Sequence, residues 1–132
     1  DFVAPRTIGD ALMGDPEGKF FDRSRGREMF DDIFLPDGEG FRECAVYYAP
    51  ETGRRMKVYS DAESLIVFTP AGMGRHKAKY DGIVYPDYAA VCLETQYVPN
   101  AVNAEGFKVP VFDRGEKMVS VTEYRFDIAD NC

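Results

Sequence analysis

Tryptophan is missing from this sequence, histidine occurs once, at position 76, and cysteine only three times. Cys44, Cys92 and Cys132 are odd in number and widely spaced, with no Cys-x-x-Cys pair, so neither a zinc site nor a disulfide framework is supported. A reducing cytoplasm is the expected compartment. Positive charge is in deficit: 16 Lys and Arg against 23 Asp and Glu give a net charge of −7, with a pI of about 4.7. That balance argues against a nucleic-acid surface, which relies on clustered cations. No apolar run approaches the roughly 18 residues of a membrane span, and no secretory leader pattern opens the chain. No membrane partner is expected. His76 lies in a Gly- and Lys-rich loop, where a lone histidine is ordinarily solvated and idle, and a near-neutral side chain is no evidence of use by itself.

What is present is a 132-residue chain, 45% hydrophobic and 14% aromatic, with eight Tyr and ten Phe. The length suits a single domain with a real core, and the composition leans towards strands. Residues 10–29 mix Gly14, Pro16, Gly18 and Gly26 with charges and read as a surface loop, with one helical turn around Asp10–Met13. Phe30–Leu35 is a short run interrupted by two adjacent acids. Phe41–Tyr48 alternates as a strand, Arg42, Cys44, Val46 and Tyr48 against Phe41, Glu43, Ala45 and Tyr47. Pro50–Gly53 is a turn, Arg54–Tyr59 its hairpin partner, and Ser64–Thr69 a more buried strand. Pro70–Gly82 is glycine-rich and basic but lacks the Gly-Lys-Ser/Thr ending of a phosphate loop. Turns follow at Gly106–Pro110 and Asp113–Glu116, then a last strand over Lys117–Phe126 and a polar tail over Asp127–Cys132. Short strands separated by turn chemistry, with hardly any helix, predict an all-β antiparallel sandwich.

The stretch that carries chemistry is Val91–Asn103, VCLETQYVPNAVN. With period two, Val91, Leu93, Thr95 and Tyr97 share one face, and Cys92, Glu94, Gln96 and Val98 the other. Pro99-Asn100 ends the strand, since proline cannot donate to a ladder and asparagine favours a turn. A carboxylate within such a strand is paired with a cation, shifted by desolvation, or used; the pattern alone leaves all three open for Glu94.

VCLETQYVPNAVN resembles the aldose 1-epimerase (galactose mutarotase) family, whose late glutamate strand runs Cys-Leu-Glu-Thr-Gln and then Pro-Asp/Asn-Ala-Val/Ile-Asn. Further marks follow in family order. DFVAPRTIG is similar to Asp-Phe-x-x-Pro-x-x-Ile-Gly, and Phe30–Phe34 to Tyr/Phe-Asp-x-x-Phe. Thr52-Gly53-Arg54 is similar to a Ser/Thr-Gly-Arg turn, Ser60-Asp61 to a Ser/Thr-Asp strand end, Arg114-Gly115-Glu116 to Pro-Gly-Glu, and Thr122–Phe126 to Thr-x-Tyr-x-Phe. The resemblance implies the C-terminal portion of a mutarotase-like supersandwich. It also implies a hexose as partner, no cofactor and no metal, with Glu94 as catalytic base and Asp31 binding sugar hydroxyls. Gln96, two residues beyond Glu94, is a same-face partner for the carboxylate or the sugar. From the residues alone, Asp31 pairs one of Arg23, Arg25 or Arg27. Where family members place a histidine after the aspartate, this chain has Asp32.

The family's general acid is a histidine of its earlier half, and His76 matches no such position. These 132 residues on their own are therefore expected to be nearly inactive, since losing a general acid costs about 10²–10⁴-fold. The alternative reading is a non-catalytic carbohydrate-binding or sugar-sensing relative on the same fold. Half of a two-sheet architecture exposes edges and apolar faces, so docking to the missing N-terminal half or self-association is expected.

Overall fold

The computed structural model describes residues 2–13, 21–22, 27–71 and 82–129. The elements are α1 (Ile8–Met13), β1 (Phe21–Asp22), β2 (Arg27–Glu28), β3 (Asp31–Phe34), β4 (Arg42–Ala49), β5 (Arg54–Ser60), β6 (Ser64–Phe68), β7 (Cys92–Gln96) and β8 (Thr122–Ile128), with a short 3-10 helix at Ala101–Asn103. β1 and β2 pair alone, and the other strands form two three-stranded sheets, β3-β6-β7 and β4-β5-β8. The class is the all-β antiparallel sandwich that the strand pattern predicts. No helix among the described residues is long and apolar enough to cross a membrane.

The chain divides into two compact units, Asp1–Asp32 with Val67–Cys92, and Ile33–Ile66 with Leu93–Cys132. In the first unit, Thr7 caps α1: its hydroxyl accepts the Asp10 N–H at 2.9 Å, satisfying one of the donors a helix start leaves open. Ala11 and Leu12 are buried. The helical turn expected at Asp10–Met13 is the greater part of α1, while the β1–β2 pair and the buried Met29 lie in the stretch read as surface loop. Phe30 is 0% exposed. Its N–H donates to the Thr69 hydroxyl at 2.8 Å and its carbonyl accepts the Thr69 N–H at 3.0 Å, so the backbone beside the ring keeps both polar groups satisfied. The Phe2 ring lies against it, tilted 59° at 5.7 Å between centroids.

In the second unit, β5 pairs antiparallel with both β4 and β8. Arg55, Lys57 and Tyr59 point to one side, and Met56, Val58 and Ser60 to the other, with Val58 0% exposed. The alternation expected for β4 fails at one residue. A bulge sets Glu43 opposite Tyr59 and Ala45 opposite Val58, leaving Cys44 as the extra residue. Arg42 thus shares a face with Ala45 and Tyr47, not with Val46 and Tyr48. Its guanidinium gathers the carbonyls of Pro36, Asp37, Gly40, Ser60 and Ala62, which a planar five-donor group does well. Gly53 closes the β4–β5 hairpin at φ 68°, and a Cβ there would meet the Ala129 carbonyl and Ile128 at 3.3 Å, so glycine is required.

The last strand also differs from expectation. Lys117–Val121 precedes the ladder, whereas Asp127 and Ile128, read from sequence as tail, belong to it. The reason is a cross-strand pair: Arg55 sits opposite Asp127 and grips both its oxygens, at 2.8 and 2.7 Å. On the same side, Arg125 holds Glu123 at 2.7 Å and lies 4.2 Å above the Tyr59 ring, while the Tyr59 hydroxyl donates to Glu43 at 2.8 Å.

These bonds hold the Asp127 and Glu123 carboxyls below the ordinary range, chiefly through their arginines, and the Val121 N–H does the same for Asp61. A carboxyl depressed in the folded state contributes stability above its unfolded value, and loses it as pH falls through the folded one. The urea midpoint is therefore expected to drop on acidification below about pH 4, and Asp127→Asn to show a smaller drop than wild type. An identical drop in both proteins would remove the Arg55 pair from the account.

Candidate active site

The chain turns soon after β7. Asn100 takes the left-handed conformation at φ 61°, which asparagine tolerates, and turns the chain into the 3-10 helix. One side of β7 addresses the other sheet: the Thr95 and Thr122 hydroxyls meet at 2.6 Å, and the Tyr124 hydroxyl donates to the Leu93 carbonyl at 3.0 Å. Ser64 of β6 donates to the Gln96 carbonyl at 2.9 Å. Since side chains alternate, Glu94 and Gln96 stand together on the side away from Thr95.

Glu94 is the exposed residue of β7, flanked by half-buried Cys92, Leu93, Thr95 and Gln96. Among the described residues no cation or hydrogen-bond donor holds its carboxylate; the ion pairs of this unit are Arg55–Asp127, Lys57–Glu43 and Arg125–Glu123. Among the described residues, then, Glu94 is not paired to a cation. The Gln96 amide is likewise without a side-chain partner among the described residues. Asp31 opens β3 in the first unit, exposed, directly after the buried Phe30 ring. Arg23 and Arg25, the cations that the residues alone would pair with it, lie outside the described residues, as do the Arg27 side chain and His76.

Cys44 and Cys92 are free and half-buried. Among the described residues no three His, Cys, Asp or Glu side chains are grouped to hold a metal ion. One carboxylate went unremarked in the sequence: Glu63, in the β5–β6 turn, accepts the Lys108 N–H at 3.0 Å. It sits outside any strand alternation, and nothing in the residue pattern marks it.

The chemistry this arrangement offers is that of an unshielded carboxylate and an amide side by side on a strand, acceptor and donor for a hydroxyl-rich ligand. Comparison with known proteins fits that chemistry. The aldose 1-epimerase family model matches residues 1–125. The chain is similar to galactose mutarotase of Homo sapiens, 33% identical over 76% of this chain and 30% of the relative, and to galactose mutarotase of Rattus norvegicus, 32% identical over 92% and 39%. It is also similar to an aldose 1-epimerase of Streptococcus thermophilus, 28% identical over 73% and 29%. The chain thus spans about a third of the length of the curated relatives it matches. With its glutamate strand inside the matched span, the chain belongs to the aldose 1-epimerase family.

Proposed function

We propose that the protein carrying this chain interconverts the α and β anomers of a hexose, with Glu94 as the base and Asp31 and Gln96 holding sugar hydroxyls. The observation that supports this reading is the Glu94 carboxylate itself, exposed on β7 with no cation clamped to it among the described residues. In the reaction, Glu94 takes the proton of the anomeric hydroxyl while an acid delivers one to the ring oxygen. The bond between the anomeric carbon and the ring oxygen breaks, its electron pair leaving with the oxygen, and the anomeric carbon becomes an aldehyde. Rotation about the adjacent carbon–carbon bond turns the other carbonyl face to the hydroxyl. Attack on that face, with both protons returned, closes the opposite anomer. No electrons are exchanged.

The acid is assigned to a histidine of the family's earlier half, so these 132 residues alone accelerate the reaction little. Because a fold does not fix function, the second reading is a carbohydrate-binding relative without turnover. β8 is an edge strand exposed along its whole length, with Phe126 75% and Ile128 67% exposed, which supports a cover supplied by the rest of the protein or by a second copy. The cytoplasm remains the proposed compartment.

Asp31 gives the test of the substrate contact. In the protein made from its complete reading frame, Asp31→Ala is expected to raise KM roughly 10–100-fold, the worth of a hydrogen bond to a charged group, and to change kcat far less. Steady-state polarimetry over a range of sugar concentrations separates the two. An unchanged KM would remove Asp31 from the sugar.

A further inference from the structure

Between the 3-10 helix and β8 runs a long connection whose residues 108–121 are all exposed. It presents Val109, Val111, Phe112, Met118 and Val119 to solvent and bonds to itself twice along the backbone, from the Val111 N–H to the Val109 carbonyl at 2.9 Å and from the Glu116 N–H to the Asp113 carbonyl at 3.0 Å. Connections of this length without secondary structure are uncommon and usually functional. Both legs of this one are tied to the turn between β5 and β6.

The ties are unequal. On the β8 side, Asp61 Oδ1 accepts the Val121 N–H at 2.9 Å and the Ser120 hydroxyl at 3.1 Å. The Val121 carbonyl accepts in return from the Asp61 N–H at 3.3 Å and the Ser60 hydroxyl at 2.9 Å. On the other side there is one hydrogen bond, from the Lys108 N–H to Glu63 Oε1 at 3.0 Å, with a weaker attraction of the Lys108 charge to the Asp61 carboxylate. The second oxygen of that carboxylate, Oε2, is buried with no hydrogen-bond partner among the described residues. An unsatisfied buried carboxylate oxygen is costly, and the cost ends once water reaches it. Breaking the Lys108 bond is therefore offset in part by hydration of Glu63, whereas releasing Val121 breaks several bonds with no such return.

We propose that residues 109–119 form a strap hinged at Asp61 and latched at Glu63, which opens by releasing its Lys108 leg while Ser120 and Val121 stay in place. Glu63 is the latch because it is the weaker and internally opposed tie. Asp61 is the pivot because its carboxylate and backbone hold one residue from both sides. The strap moves as one piece, since its turn closes on itself and residues 109–119 make no hydrogen bond to the rest of the unit among the described residues.

Native-state hydrogen exchange on the full protein tests this, read at the amides of Lys108 and Val121. Glu63→Ala is expected to speed exchange at Lys108 at least about tenfold and to leave Val121 unchanged, while Glu63→Gln, which keeps the acceptor, preserves protection at Lys108. Glu63→Ser, polar and shorter, is expected to read as the alanine variant does and covers the case in which alanine prevents folding. Tryptic cleavage after Arg114 or Lys117 should rise in step with exchange at Lys108. Unchanged exchange at Lys108 in the shortened variants would overturn the latch, and equal acceleration at Val121 would overturn the hinge.

Discussion

Replacing Phe30 with alanine is expected to destabilise the fold by about 3–5 kcal/mol. The ring is fully buried, and Phe2 packs against it. Both backbone bonds to Thr69 survive the substitution, because they come from the Phe30 N–H and carbonyl and not from the ring. What is lost is the transfer of an aromatic side chain out of water, together with the contacts of the cavity left behind. The effect reaches the proposed sugar contact as well. Asp31 is the next residue, and its direction depends on the strand start that the Phe30 ring anchors. Guanidinium unfolding measures the change as a lower midpoint at unchanged slope. A loss below about 1 kcal/mol would mean that the ring is not the centre of its unit.

Glu94→Gln is expected to lower the mutarotation rate of the complete protein about 10²–10⁴-fold, the contribution of a positioned general base. Glutamine keeps the shape and a carbonyl acceptor, but it cannot take the anomeric proton. Stability should not follow the rate, because the wild-type carboxylate is exposed and bonded to no other described side chain. Circular dichroism melting curves of the two proteins should superimpose within a degree or two, the usual outcome for a surface change that breaks no contact. A matching loss of melting temperature would instead recast Glu94 as a structural residue of β7.

Much of this was legible in the residues. Glu94 and Gln96 are placed by period two, which needs no tertiary knowledge. Asn100 announces its turn by being one of the few side chains at ease at positive φ. The misreadings have a common cause, since each depends on a partner distant in sequence. The Cys44 bulge exists because Glu43 and Ala45 each answer a residue of β5, and local alternation cannot see that register. Asp127 looks like tail until Arg55 is known to lie opposite, 72 residues away in the chain. Glu63 was invisible for the same reason: its partner is a backbone N–H, which carries no sequence signature. The stretch 10–29 read as loop because its glycines and charges hide Ala11, Leu12 and Met29, which are buried.

The central claim is that the carboxylate of Glu94 removes the anomeric proton. The direct measurement is the decay of optical rotation of freshly dissolved α-galactose or α-glucose in the presence of wild-type or Glu94→Gln protein, with sugar affinity measured alongside. A variant that binds the sugar as wild type does, yet leaves the decay close to its uncatalysed course, is the predicted result; equal decay with both proteins would contradict the account.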